Sequence, residues 1–284
     1  MAGVSAPAEA VIMADVQRSL LEDIGTGDVT AALLENDIEQ GYVIAKEAAV
    51  VCGRPWFDAC FKTLDAEVEL TWQVQEGETV LPGTVLVCFR GHARALLGAE
   101  RSALNFLQTL SATATQTAAF AKALEGSHTE VLDTRKTLPG LRQAQKYAVR
   151  VGGGINHRMG LYDAVMLKEN HIHAEGSIAQ AVAKARARYP ELPIIVEVET
   201  LAELEQALQT DCTRILIDDF SDADMFEAVR RAGGRKPLEV SGSVSLERLQ
   251  TIRASGVDFI SVGAITKSIR AIDFSMRLGQ PPTA

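Results

Sequence analysis

Between residues 133 and 171 the chain carries seven cations, Arg135, Lys136, Arg142, Lys146, Arg150, Arg158 and Lys168, against three anions, Asp133, Asp163 and Glu169. The protein as a whole has a net charge of −9. A cationic centre in an acidic chain points to a ligand with several negative groups. Arginine forks grip carboxylate or phosphate oxygens in pairs, and lysine supplies a compact charge. Arg135, Lys136, Arg158 and Lys168 are the main candidates, with Arg101 as a fifth. Arg101 stands beside Glu100 in an apolar surround, so it reads equally as a surface residue or as one that reaches another subunit's pocket. Glu197 and Glu199, two apart on one strand face, and Asp218 are carboxylates that need partners if buried. They suit sugar hydroxyls, a magnesium ion, or positive charge developing on a sugar carbon. Ser241-Gly242-Ser243 and Gly263-Ala264 offer backbone N–H groups ahead of helices, as a phosphate requires. His157 reads as a hydrogen-bonded structural histidine, and Gly152-Gly153-Gly154 as a tight turn or a close approach to ligand.

These residues need a frame that brings them together. After residue 130, short β-branched runs alternate with helical segments. Strands are expected at 131–132, 164–167, 194–198, 214–217, 238–240 and 259–262. Helices are expected at 141–150, 177–189, 201–209, 222–232 and 245–254. Such βα repetition predicts a parallel sheet, either a barrel or doubly wound, whose near-continuous apolar strands are covered on both faces. Asp133, Lys168, Glu197, Asp218, Ser241 and Gly263 all fall at strand C-terminal ends, the rim where such folds carry their sites. Before residue 130 the pattern is α+β. It comprises an amphipathic helix at 8–24, a strand at 40–52, a helix at 55–64, an alternating strand at 67–74, and a helical tract at 92–124. The length of that tract predicts two helices or a kinked one. The Gly25–Asp28 turn assigns Asp23 and Asp28 to capping. The texture divides the chain into 1–128 and 129–269, with the tail 270–284 packing back on the first part.

A chain of 284 residues, 47% hydrophobic and 23% charged, fits a globular protein with a large core. The acidic balance argues against nucleic-acid or membrane-surface binding. No apolar run reaches membrane-span length, and the N-terminus lacks the basic leader of a signal peptide. Cys52, Cys60, Cys88 and Cys212 lack metal-ligand spacing and read as reduced, buried thiols of a cytoplasmic protein.

At the charged residues the chain resembles the quinolinate phosphoribosyltransferases (carboxylating nicotinate-nucleotide pyrophosphorylases), a group of type II phosphoribosyltransferases. The likeness rests on Asp133-Thr134-Arg135-Lys136-Thr137 with Pro139-Gly140-Leu141, Gln145-Lys146-Tyr147-Ala148, and Gly152-Gly153-Gly154 with Asn156-His157-Arg158. It continues through Lys168-Glu169-Asn170-His171, Glu197-Val198-Glu199, Asp218-Asp219-Phe220 and Ser261-Val262-Gly263-Ala264. Ile155 and Ser243 depart from the pattern without removing a charge. The resemblance implies an α/β fold: an open, TIM-like α/β barrel with an N-terminal α/β sandwich domain, in a homodimer or higher oligomer whose site lies at the interface. It implies transfer of phosphoribosyl from phosphoribosyl pyrophosphate to quinolinate with Mg2+, giving nicotinate mononucleotide, pyrophosphate and carbon dioxide in NAD synthesis. By the same likeness, Thr134, Arg135, Arg158 and a neighbouring chain's Arg101 would hold quinolinate. Lys136, His157 and Lys168 would line the anionic pocket. Glu197 and Asp218 would face the ribose and its metal, acting with Lys136 and Lys168 in catalysis. Ser241, Gly242, Ser243, Gly263 and Ala264 would cradle the 5-phosphate. The rivals are a relative using another carboxylate, a Schiff-base aldolase built on Lys168, and a catalytically silent phosphate-binding protein.

Overall fold

The computed structural model describes residues 4–242 and 244–282. In chain order the first elements are α1 (Glu9–Ile24), β1 (Ile38–Ala45), β2 (Ala49–Val50), α2 (Arg54–Leu64), β3 (Glu69–Trp72), β4 (Thr79–Val80), β5 (Val85–His92) and α3 (Ala93–Ala123). There follow β6 (Glu130–Leu132), α4 (Arg142–Val151), β7 (Val165–Leu167), α5 (Glu169–Glu175), α6 (Ile178–Arg188) and β8 (Ile194–Val198). The last are α7 (Leu201–Leu208), β9 (Arg214–Asp218), α8 (Asp222–Ala232), β10 (Leu238–Ser241), α9 (Leu249–Ser255), β11 (Phe259–Ser261), α10 (Ala264–Lys267) and β12 (Phe274–Leu278). Contacts divide the described chain into two compact units.

The first unit takes the residues up to Ala118, then Thr137–Gly153, then those from Ile265 onward. Its antiparallel sheet has the order β12-β1-β5-β3, and β2 pairs with β4 in a small second sheet. Trp56, Phe57, Cys60 and Phe61 form the buried face of α2, which starts with Pro55 in its first turn where the missing N–H does no harm. Phe57 stacks near Phe61, with ring centres 4.9 Å apart, and meets Trp72 edge-on at 5.3 Å. The tract expected to form two helices or a kinked one is a single helix of 31 residues, α3. Its buried Ser111 and Thr117 are satisfied locally: Ser111 Oγ accepts the Cys52 N–H, and Thr117 donates to the Thr113 carbonyl. Asp28 caps the short turn after α1 by accepting the N–H groups of Thr30 and Ala31. The expected strand at 40–52 is divided by a bend between β1 and β2.

Helix α4, expected with the barrel, packs instead with the first unit. The reason is its buried face: the Tyr147 ring lies 5.7 Å from Trp56 and its hydroxyl donates to Glu76 at 3.0 Å. Gly152 at the end of α4 meets α3 so closely that a Cβ there would sit 2.4 Å from the Ala114 carbonyl oxygen. The first glycine of the triplet therefore serves helix packing, not ligand approach.

The second unit, Ala119–Lys136 with Gly154–Ala264, holds one six-stranded parallel sheet in the order β6-β11-β10-β9-β8-β7. It is an open α/β barrel with β6 and β7 at its two edges. All five residues of β8 are buried, as a strand covered on both faces must be. The register aligns Val198 with Ile217, and Asp218 with Ser241, so the strand ends meet on one rim. Helix α9 starts four residues later than expected, and α5 is an additional short helix opened by Lys168.

Candidate active site

A cavity of about 340 Å3 opens at that rim. It is lined by Thr134, Arg135, Lys136, His157, Arg158 and Lys168 from the loops, and by Met166, Glu197, Leu216, Glu239, Ser241 and Ser261 from the strands. A larger cavity of about 410 Å3 lies in the first unit among Asp28, Asp65, His92 and Arg94. Its charges are already spent within the protein: His92 Nδ1 lies 3.0 Å from Asp65, and Arg94 donates to the Leu34 carbonyl. The rim cavity gathers four cations, Arg135, Lys136, Arg158 and Lys168, in its lining.

Asp133 ties the DTRK and NHR segments together. It is fully buried at the end of β6 and accepts from Asn156 Nδ2 at 2.6 Å and from the His157 N–H at 2.9 Å. This brings Arg158 to the same mouth as Arg135 and Lys136, whose backbone turns through the Lys136 N–H to Thr134 Oγ1 bond of 3.0 Å. The loop after Arg158 is shaped by Asp163, which accepts the N–H groups of Met159 and Gly160. Arg158 has only loose contacts of its own, 3.4 Å to the Ala164 carbonyl and 3.5 Å to Met166 Sδ. Burial and then the charge of Arg135 push its guanidinium below its ordinary pKa, against Asp163 and Glu197. An anion placed between two arginines that repel one another would relieve that repulsion. Lys168, the residue that opens α5, donates to Glu197 Oε2 at 2.5 Å.

Several expected residues stand elsewhere. Asp218 is half-buried at the end of β9 and does not line the cavity. Glu199, read as sharing a strand face with Glu197, lies beyond the end of β8, exposed, with its N–H donated to Glu203. Arg101 is exposed on α3 in the first unit. Ser243 lies outside the described residues. Gly242 does not line the cavity; its φ is +79°, and a Cβ would fall 2.2 Å from Asp219 Oδ1, so only glycine fits there. Asp219 is itself left-handed, with φ +51°. Gly263 lies beside Lys136 and Thr134, and a Cβ there would press on the Lys136 side chain at 3.0 Å. Ala264 begins α10 and is half-buried.

The lining also includes Met166, Leu216, Glu239 and Ser261, which no charged motif marked. Glu239 is fully buried, with Oε2 2.9 Å from Arg214 Nη1 and 3.3 Å from His157 Nε2. Burial alone would raise its carboxyl, but His157 and Arg214 hold it below the usual carboxylate range. The alternation Leu238-Glu239-Val240 could have flagged it, since a charge inside a covered strand needs a partner.

Among the described residues, no three His, Cys, Asp or Glu side chains cluster as a metal cage. Glu197, next to last in β8, and Asp218, last in β9, nevertheless lie near the C-terminal ends of adjacent strands. Two carboxylates suit a cation that keeps waters and takes its other ligands from substrate phosphates, as Mg2+ does.

Residues 28–111 match the family described as "Quinolinate phosphoribosyl transferase, N-terminal domain", and residues 113–277 match its C-terminal domain. The chain is 39% identical over 274 residues to the nicotinate-nucleotide pyrophosphorylase (carboxylating) of Mycobacterium leprae (strain TN), covering 93% of this chain and 95% of that one. It is 41% identical over 269 residues to the probable enzyme of the same name from Synechocystis, covering 93% and 91%. The solved nicotinate-nucleotide pyrophosphorylase from Francisella tularensis superposes with a TM-score of 0.95 at 42% identity, covering 98% of this chain and 100% of that one. With both domains matched along nearly the whole length, the chain belongs to the quinolinate phosphoribosyl transferase family.

Proposed function

We propose that this protein transfers phosphoribosyl from phosphoribosyl pyrophosphate to quinolinate with decarboxylation, yielding nicotinate mononucleotide, pyrophosphate and carbon dioxide for NAD synthesis. The observation that carries this reading is the convergence of Arg135, Lys136, Arg158 and Lys168 on one rim cavity that also holds Glu197. Arg135 and Arg158 grip the two quinolinate carboxylates and aim the ring nitrogen at the anomeric carbon. As the carbon–oxygen bond to pyrophosphate breaks, positive charge grows on the sugar, where the Glu197 carboxylate stabilises it. Lys136 and Lys168 offset the charge of the departing pyrophosphate. The ring then loses carbon dioxide; the electron pair stays on the ring carbon beside the cationic nitrogen and takes up a proton. Ser241, Gly242 and Gly263 supply backbone N–H groups to the 5-phosphate, with Ala264 following Gly263 at the start of α10 and Ser243 retained as a phosphate ligand by family likeness. Mg2+ would be held by the substrate's phosphate oxygens with Glu197 and Asp218, and would neutralise pyrophosphate charge.

The active form is read as a homodimer. Val29 and Leu33 in the first unit, and Leu161 and Tyr162 in the second, are large apolar side chains left exposed that a second copy would cover. Arg101, exposed on α3, is then free to complete the neighbouring chain's carboxylate site. No described helix is long and apolar enough to cross a membrane. Four free thiols support a cytoplasmic setting. The charge pattern favours phosphoribosyl transfer over Schiff-base chemistry at Lys168. The test is to incubate the protein with phosphoribosyl pyrophosphate, Mg2+ and either quinolinate, nicotinate or nicotinamide. Nucleotide and carbon dioxide are expected in equal amounts from quinolinate alone. Nucleotide from nicotinate without carbon dioxide would overturn the assignment.

A further inference from the structure

Glu239 sits in the middle of β10, fully buried, yet on the floor of the rim cavity. Oε2 faces Arg214 Nη1 at 2.9 Å and His157 Nε2 at 3.3 Å, while Oε1 has no hydrogen-bond partner among the described residues. Arg214 is itself anchored, with its guanidinium 4.3 Å from the centre of the Phe259 ring. As a fold-stabilising device this is poor. A buried ion pair is often no better than apolar side chains of the same volume, and an unsatisfied carboxylate oxygen makes it worse. A structure that keeps such a group beside its binding site has another use for it.

The next contact shows the use. His157 Nδ1 accepts the Arg158 N–H at 2.7 Å. A nitrogen that accepts cannot carry the proton, so the neutral ring bears it on Nε2, the atom turned to Glu239. The ring thus lies between two protein groups. We propose that Glu239 is a positioning residue: anchored by Arg214, it fixes the His157 ring, and the ring fixes the backbone N–H of Arg158, aiming that guanidinium at a substrate carboxylate. Asp133 places the backbone on which Arg158 stands, but the contacts of its side chain among the described residues are the loose ones to Ala164 and Met166. The inference rests on reading the cavity as the quinolinate site.

The test is Glu239→Gln, which keeps the shape and removes the charge. Quinolinate affinity, measured by calorimetric titration and as KM, is expected to weaken about tenfold, as for a lost group that orients a ligand-binding residue. KM for phosphoribosyl pyrophosphate is expected to stay within about twofold, and the melting temperature to fall, because Arg214 is left without its carboxylate partner. In a His157→Ala background the same change should add less than about twofold, because the path from Glu239 to Arg158 is already cut. Should Glu239→Gln not fold, Arg214→Gln carries the same selective expectation. Equal shifts in both KM values, a shift in neither, or independent effects of the His157 and Glu239 changes would each overturn the proposal. The unaltered protein is the control. Absence of quinolinate turnover there refutes the functional reading, whereas turnover there without a selective shift in the variant refutes the positioning role alone.

Discussion

Replacing Arg158 by methionine should push binding and stability in opposite directions. In the free protein the guanidinium gains little, a 3.4 Å contact to the Ala164 carbonyl and a 3.5 Å contact to Met166 Sδ. Against these stand burial and the like charge of Arg135, the two effects that lower its pKa. Methionine fills similar space and removes both penalties, so the melting temperature should stay level or rise by about one to three degrees. Once quinolinate binds, the same guanidinium meets a carboxylate, a charge-assisted bond that contributes about 1.5–3 kcal/mol. At about 1.4 kcal/mol per factor of ten, kcat/KM for quinolinate should fall roughly tenfold to 150-fold. The assay pairs thermal melts with initial rates over a range of quinolinate at saturating phosphoribosyl pyrophosphate. A drop in melting temperature of several degrees with kcat/KM unchanged would refute the reasoning, since Arg158 would then be a structural residue that the substrate ignores.

Gly242→Ala would place a Cβ against Asp219 at a left-handed φ. KM for phosphoribosyl pyrophosphate should rise at least about tenfold with quinolinate affinity little changed; loss of both together would point to misfolding of the rim instead. Arg101→Ala and Lys168→Ala chains, each inactive alone, should regain about a quarter of the unaltered activity when mixed in equal amounts, the share set by random pairing into dimers with one intact site. No recovery after demonstrated subunit exchange would count against a shared site. Burial pushes the thiols of Cys52 and Cys212 up and that of Cys60 to about 12, while Cys88 is only half-buried. A charged disulfide reagent at pH 8 should therefore label Cys88 alone in the native protein. Because folding favours the neutral thiol, this contribution to stability is intact below the unfolded value of about 8.5 and is lost as pH climbs from there towards the folded value. The urea midpoint should decline above that pH, and less steeply in Cys60→Ala; identical slopes would show that the thiol stays accessible.

The barrel was legible because its strands are covered on both faces and so read as unbroken apolar runs, Ile194–Val198 most plainly. The cations of the rim were legible for a related reason. A charge that ends such a run sits at the strand's C-terminal end, where the fold collects its loops. Residues inside the pattern were harder to read. Glu239 is flanked by Leu238 and Val240 and looks like any strand position until its partners, on β9 and in the loop after α4, are known. Likewise, the allegiance of α4 depends on Trp56 and Glu76, residues more than 70 positions earlier. Glu199 was misplaced because the alternation rule holds only while the strand continues, and β8 stops one residue before it. Spacing also could not reveal that α3 runs unbroken, since its serine and threonine hydroxyls find partners within the surrounding structure.

The strand that completes the first unit's sheet, β12, comes from the last part of the chain and pairs with β1 from near its beginning. As the polypeptide leaves the ribosome, every segment of the barrel has emerged while the outer edge of β1 still lacks its neighbour. Unpaired edges recruit other chains. A nascent or prematurely terminated product that ends between residues 264 and 274 would therefore display an adhesive border along β1. Termination there should yield insoluble material rather than an inactive soluble fragment, so the five residues of β12 would act as the seal on the whole product.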